Sequence, residues 1–351
     1  MRLVRPKSPQ QLVVCLLAIQ CDTRVTDSND MWPKHPESPT AWPPLPWIVG
    51  EKQVEILEDH DAQEQITRRL TARAVDFIER QGKKPFFLYV PHPMPHVPLG
   101  VGPNFRGTSR YGMYGDVIRE IDDSVGQIRR ALEKSGVLDD TIIIFSSDNG
   151  PWLSYGDHAG STGGLREGKG TTFEGGVRVP LVVRFPPSVP AGVICHAPCM
   201  AIDILPTITA LTGGQLPPLA IDGKSLVPLF GAAPDAKSPH DILGFWYHDR
   251  HLEAVRSGRW KLHFPHRYRS VRDGPPGNNG IPAKYDYGVE IGLSLFDLVS
   301  DPSESIDVSG AHPEVVSRLE RAADSLRARL GDRLRDVDGS EVRPVGHFEE
   351  P

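Results

Sequence analysis

The 351-residue chain has little cysteine: Cys15, Cys21, Cys195 and Cys199 are all it holds. Four at this length cannot build a disulfide scaffold. An excess of positive charge is also missing, since 39 Lys and Arg stand against 45 Asp and Glu, a net charge of −6. That argues against nucleic acid or an anionic membrane surface as a partner. No apolar run approaches the ~18 residues of a membrane-spanning helix, and no internal repeat is present. What remains is ordinary globular composition, 39% hydrophobic and 24% charged. Gly and Pro number 34 each and fall mostly between periodic segments, which suits a loop-rich α/β enzyme better than a helical bundle. The length allows one large or two ordinary domains of roughly 150 residues.

The N-terminus places Arg2, Arg5 and Lys7 before a short apolar run, Leu12 to Ile19, the charge order of a secretory signal. No small-x-small cleavage site follows it. The rest of 1–60 reads as irregular, with prolines at 33, 36, 39, 43, 44 and 46. A helix is predicted over 62–81, with Ile66, Leu70, Ala74, Phe77 and Ile78 on one face and Gly82 at its end. Pro85 to Val90 reads as a buried strand broken by Pro91. A second helix spans about 115–134, and Thr141 to Ser146 is the next strand. Strand, helix, strand at this spacing predicts a parallel sheet covered by helices, with ligands at the carboxyl ends of its strands. A further strand over 179–185 and a short helix over 202–211 follow. Beyond about residue 240 the pattern becomes short antiparallel strands at 242–247, 252–255, 260–264 and 295–298, with a loop over 267–288 and a polar helix over 313–330.

Several residues could carry chemistry. Asp148 and Asn149 follow the apolar run Ile142-Ile143-Ile144-Phe145 at a tight turn, and offer a carboxylate and an amide oxygen to a hard cation such as calcium or magnesium. The same pair also fits a plain Asx turn. Lys169 sits between Gly168 and Gly170, where small neighbours let an anion approach; an ammonium there would stabilise charge on a leaving oxygen. His96, in Pro95-His96-Val97-Pro98, can bond an oxyanion or protonate a leaving group. His92 is the weaker histidine of that stretch, and His158 has a possible substrate-facing role in the loop between the Asp-Asn turn and Lys169. Asp122-Asp123 and Asp139-Asp140 read as structural, and His263, His266 and Arg267 show no recognisable spacing. Cys195-His196-Ala197-Pro198-Cys199 reads as two loop thiols, a disulfide or part of a metal site, with no second Cys/His pair to complete zinc spacing.

Three segments together resemble the sulfatase family, arylsulfatase type: Phe86-Phe87-Leu88-Tyr89 with Pro95-His96-Val97-Pro98, Ser147-Asp148-Asn149-Gly150-Pro151, and Gly168-Lys169-Gly170-Thr171-Thr172 with Glu174-Gly175-Gly176-Val177-Arg178. The likeness runs from Ser28-Asn29-Asp30 to Leu295-Phe296-Asp297-Leu298 and Asp301-Pro302. It implies an alkaline-phosphatase-like α/β core with a mostly parallel sheet between helices, plus a small antiparallel C-terminal α+β subdomain. It also implies calcium-dependent hydrolysis of sulfate esters through a formylglycine nucleophile. By position, Asp148 and Asn149 would be calcium ligands. His96 and Lys169 would hold the sulfate and assist leaving-group departure, with His158 on the substrate side. A sulfated small molecule or glycan is the implied partner, and a secreted, periplasmic or lysosomal-type compartment the implied location.

The chain resembles the C-terminal two thirds of that family. Formylglycine arises within a Cys/Ser-x-Pro-Ser/Ala-x-Arg signature, and none of the four cysteines has the proline. Ser188-Val189-Pro190-Ala191 begins like the serine form, but Gly192 and Val193 follow where arginine is needed. No nucleophile is therefore assigned, half of the calcium site is missing, and a missing N-terminal half is expected to remove central strands of the sheet and expose apolar faces. The expected organisation is an irregular or signal-like 1–27, a partial catalytic core over 28–235, an antiparallel subdomain over 236–340 and a tail over 341–351. A non-catalytic binder of sulfated ligands, and a phosphodiesterase or phosphonate hydrolase of the same superfamily, are the alternatives.

Overall fold

The structure, a computed structural model, describes the strand backbone at 13–19 and residues 45–231, 233, 235–272 and 274–344. The Ser28-Asn29-Asp30 segment, Cys21 and the end of the tail lie outside them. In chain order the elements begin with β1 (Val13–Ile19), β2 (Leu45–Val49), β3 (Lys52–Leu57), α1 (His60–Gln63), α2 (Ile66–Gln81), β4 (Phe87–His92), α3 (Gly112–Lys134) and β5 (Thr141–Ser147). They continue with α4 (Glu174–Val177), β6 (Leu181–Arg184), α5 (Ile204–Thr212), β7 (Leu243–Tyr247), β8 (His251–Ser257) and β9 (Trp260–His263). The last are β10 (His266–Ser270), β11 (Asp286–Ile291), β12 (Ser294–Asp297) and α6 (Pro313–Leu330).

These elements form two compact units. The first takes residues up to 161, 178–239 and 271–284; the second takes 162–177, 240–270 and 285 onward. The loop bearing Lys169 thus folds with the antiparallel strands that follow it by some eighty residues.

In the first unit a four-stranded sheet runs in the order β4-β1-β5-β6. β1 is parallel to both β4 and β5, while β6 is antiparallel to β5. Side chains alternate across β5. Ile143 joins Ala74 and Ile78 of α2 and Ile128 and Leu132 of α3 on one face, while Ile142 and Ile144 meet Phe185 with Ile204, Ile208 and Leu211 on the other. Helices cover both faces, which is why β5 reads as an unbroken apolar run.

Three expectations need correction. Residues 13–19 are not irregular but form the strand between β4 and β5 of the described sheet. The outer strands leave Phe87, Tyr89, Leu181 and Val182 exposed. Residues 45–57 form a hairpin rather than a loop: Gly50, at φ 64°, makes the two-residue connection, and Leu45, Trp47 and Leu57 pack on Ile66. β4 continues through Pro91 because it is an outer strand, where a missing N–H is tolerated.

The second unit is built on an antiparallel sheet, β12-β9-β8-β7. Leu252, Leu262 and Leu295 pack one face of it against Val316, Leu319 and Ala323 of α6. α6 starts at Pro313, a favoured first helical position, and covers the span read from periodicity. The stretch expected as loop over 267–288 instead holds most of β10 and the start of β11, an antiparallel pair. No helix among the described residues is long and apolar enough to cross a membrane.

Candidate active site

The parallel pairing of β1 with β4 and β5 brings the exits of β4 and β5 to one sheet edge, as in other α/β proteins that bind ligands there. His92 is the last residue of β4, but it points into the protein. Its Nε2 lies 3.0 Å from Ser124 Oγ, which accepts from Thr71 Oγ1 at 2.6 Å, and burial lowers its pKa to about 4. It is a neutral joint between strand and helices.

His96 is buried, and its Nδ1 donates to the Val97 carbonyl at 2.9 Å. That bond fixes the proton on Nδ1 in the neutral ring. Its ring meets Trp152 edge-on at 5.2 Å, and Trp152 meets Tyr155 at 5.1 Å. Trp152 follows directly on Ser147-Asp148-Asn149-Gly150-Pro151, so this contact ties His96 to the segment leaving β5. Asp148 is exposed at the bend there. Asn149 is half-buried, and its Oδ1 is a buried acceptor with no hydrogen-bond donor. His158 closes a 3-10 turn over Leu153–His158, pinned where Ser154 O accepts from Ala283 N and Asp157 accepts from Asn279 N.

Lys169 belongs to the second unit, on a loop over 166–176 that is closed on itself. Gly175 N donates to Arg166 O at 2.8 Å, and Thr171 Oγ1 to Gly168 O at 2.9 Å. The Lys169 carbonyl accepts from Arg269 Nη2 at 2.6 Å, and the Arg269 guanidinium lies 4.5 Å over the Tyr285 ring. Gly170, at φ 86°, is required there: a Cβ would collide with that guanidinium. Arg166 donates to Glu304 O and Tyr268 Oη, and sits 4.1 Å over the Phe173 ring.

Beneath this loop lies a charge cluster that sequence reasoning missed. Lys261, wholly buried, bonds Glu174 at 3.0 Å and Glu304 at 3.1 Å. Arg256 bonds Glu174 at 3.1 Å, and His263 Nε2 lies 2.9 Å from Glu304. Glu304 also accepts from Glu174 N at 2.6 Å. Two carboxylates against two cations leave the cluster balanced with His263 neutral. Burial alone would raise Glu304, but Lys261 and His263 outweigh it and hold the carboxyl at about 2. Burial lowers His263 to about 4. The available signal was alternation. In Trp260-Lys261-Leu262-His263, polar residues take every second place of a strand whose neighbours are core.

Among the described residues, no group of three or more His, Cys, Asp or Glu could hold a metal. Cys195 and Cys199 are thiols; burial pushes Cys199 up to about 11.

The sulfatase family model matches residues 23–214, and that of the C-terminal region of aryl-sulfatase matches 238–342. Arylsulfatase A of Bos taurus is 38% identical over 252 residues, 71% of this chain and 49% of the relative. The N-acetylgalactosamine-6-sulfatase of Homo sapiens is 37% identical, over 73% of this chain and 50% of that one. Among solved structures, the PsFucS1 sulfatase from Pseudoalteromonas sp. aligns with a TM-score of 0.70 at 26% identity, over 80% of this chain and 56% of that one. The chain spans about half the length of the curated relatives it matches. Two family models in tandem, the α/β unit and the antiparallel unit lead to one conclusion: the chain belongs to the sulfatase family.

Proposed function

We propose that this chain carries sulfate-binding and calcium-binding residues of a sulfate-ester hydrolase acting on a sulfated small molecule or glycan. The observation that carries this reading is the clamped loop around Lys169. Its backbone is held at the Lys169 carbonyl, at both ends and at Thr171, so the ammonium is presented from a fixed support rather than a mobile loop. Preorganised positive charge of this kind stabilises an oxyanion without reorganisation during reaction. His96 donates from Nδ1 to the Val97 carbonyl, so Nε2 is the atom that would face sulfate or a leaving oxygen, donating there in the imidazolium form.

The fit to calcium rests on Asn149. A buried amide oxygen without a donor is costly, and with the Asp148 carboxylate beside it this oxygen suits a hard cation. Calcium takes six to eight oxygen ligands, so these two residues would supply part of the sphere. When bound, the ion would supply positive charge at the exit of β5.

Binding is the readout these 351 residues can give, because no Cys or Ser among them sits in the nucleophile signature. The same observation favours the second reading, a binder of sulfated ligands without turnover. Titrating inorganic sulfate into the protein by calorimetry, with calcium present, tests the assignment. Lys169→Ala is expected to weaken binding at least tenfold, about 1.4 kcal/mol. Equal affinity in the two proteins would remove Lys169 from the sulfate site.

A further inference from the structure

The second unit holds a buried acid–base pair that neither the charge cluster nor the sulfate contacts use. Glu253 of β8 is 1% exposed and His266 of β10 is 7% exposed. Glu253 Oε2 accepts from Thr172 Oγ1 at 2.9 Å and lies 3.4 Å from His266 Nε2. His266 Nδ1 lies 2.7 Å from the Phe264 carbonyl. A carbonyl can only accept, so Nδ1 carries a proton and the neutral ring turns its Nε2 lone pair toward the carboxyl group. A carboxylate and a lone pair facing each other in a buried site repel. One proton between them converts the contact to a hydrogen bond.

The surroundings decide where that proton resides. His266 faces the rings of Phe173, His263 and Tyr268, and burial lowers its pKa, with His251, Arg166 and His248 adding positive charge that lowers it further. Thr172 is the polar partner of Glu253 on the other side. Burial raises Glu253 to about 7, with the Thr172 bond drawing it partly back. The carboxyl is therefore the protonated member below neutrality, donating to His266 while it accepts from Thr172.

Thr172 is three residues from Lys169, and the loop closes through Thr171 and Gly175. We propose that Glu253 and His266 form a one-proton positioning pair for the loop that presents Lys169: with the proton in place the buried contact beneath Thr172 is a hydrogen bond, and without it a buried carboxylate faces the His266 lone pair, so the loop above it loosens and sulfate binding weakens. The functional half of this inference rests on the sulfate reading given above; the loop half does not.

Two measurements test it. Sulfate affinity is followed by calorimetry from pH 6 to pH 8, a window in which inorganic sulfate keeps its charge. Wild type is expected to lose affinity about tenfold across it. Glu253→Gln, whose NH2 in the place of Oε2 can donate both to His266 Nε2 and to Thr172 Oγ1 and does not titrate, is expected to keep the pH 6 affinity with a flat profile. Amide hydrogen exchange of residues 168–173, corrected for intrinsic rates and measured without ligand, is expected to show protection falling over the same window in wild type and not in Glu253→Gln. The same pH profile in Glu253→Gln as in wild type, or loop protection independent of pH, would overturn the pair. Absence of sulfate binding at every pH would overturn the sulfate reading and the functional half, while the exchange data would still decide whether the pair holds the loop.

Discussion

Lys261→Met is expected to destabilise the protein by about 3–5 kcal/mol, the range for removing one partner of a buried ion pair. Lys261 is fully buried between Glu174 and Glu304, both themselves buried. Methionine fills most of the volume, so the loss reports charge rather than a cavity. Glu174 keeps Arg256, whereas Glu304 would keep the Glu174 N–H and a histidine that burial holds neutral, with no cation beside it. Adding Glu304→Gln to Lys261→Met is therefore expected to recover a large part of the loss, because the stranded carboxylate is what makes the single change costly. Urea unfolding measures both. A shift of the single variant within about 0.5 kcal/mol, the size of ordinary surface changes, would contradict the cluster.

Phe173→Ala is expected to cost about 3–5 kcal/mol, as for other buried aromatic truncations. The ring is 0% exposed. It stacks on His263 at 4.6 Å, meets Tyr268 edge-on at 4.8 Å and lies 4.1 Å beneath the Arg166 guanidinium. Aromatic and cation contacts add about 0.5–1.5 kcal/mol to area burial. Phe173→Leu keeps most of the volume and is expected to lose roughly half as much. Because Phe173 lies between Thr172 and Glu174, the alanine variant is also expected to weaken sulfate binding. Unfolding curves together with sulfate titration check both effects, and a loss below about 1 kcal/mol would contradict the packing.

How much of this was legible in the sequence depends on the range of the contacts. The amphipathic faces of α2, α3 and α6 are local, and periodicity finds them. β5 leading into Asp148-Asn149 is also local, and a parallel sheet sends its carboxyl end to the same edge as that of β4. β1 is not distinctive in the sequence, because a parallel strand within a sheet and the apolar core of a signal peptide share one composition. The hairpin at 45–57 was hidden by Pro43, Pro44 and Pro46, although Leu45, Trp47 and Leu57 mark its buried face. The supports of the Lys169 loop join residues 81, 87 and 130 positions apart: Thr172 with Glu253, Glu174 with Lys261, and Glu174 with Glu304. No local pattern reports such partners. Only the polar alternation of β9 hinted that its inner face meets charge.

The proposed site binds sulfate, with calcium held at Asp148 and Asn149. The most direct measurement is sulfate affinity by calorimetry, with saturating calcium and with chelator, in wild type and in Asn149→Ala. Calcium is expected to tighten sulfate binding at least tenfold in wild type, about 1.4 kcal/mol, and to have little effect in Asn149→Ala. Sulfate affinity independent of calcium in wild type would contradict it, and would leave Asp148-Asn149 as an Asx turn at the end of a strand.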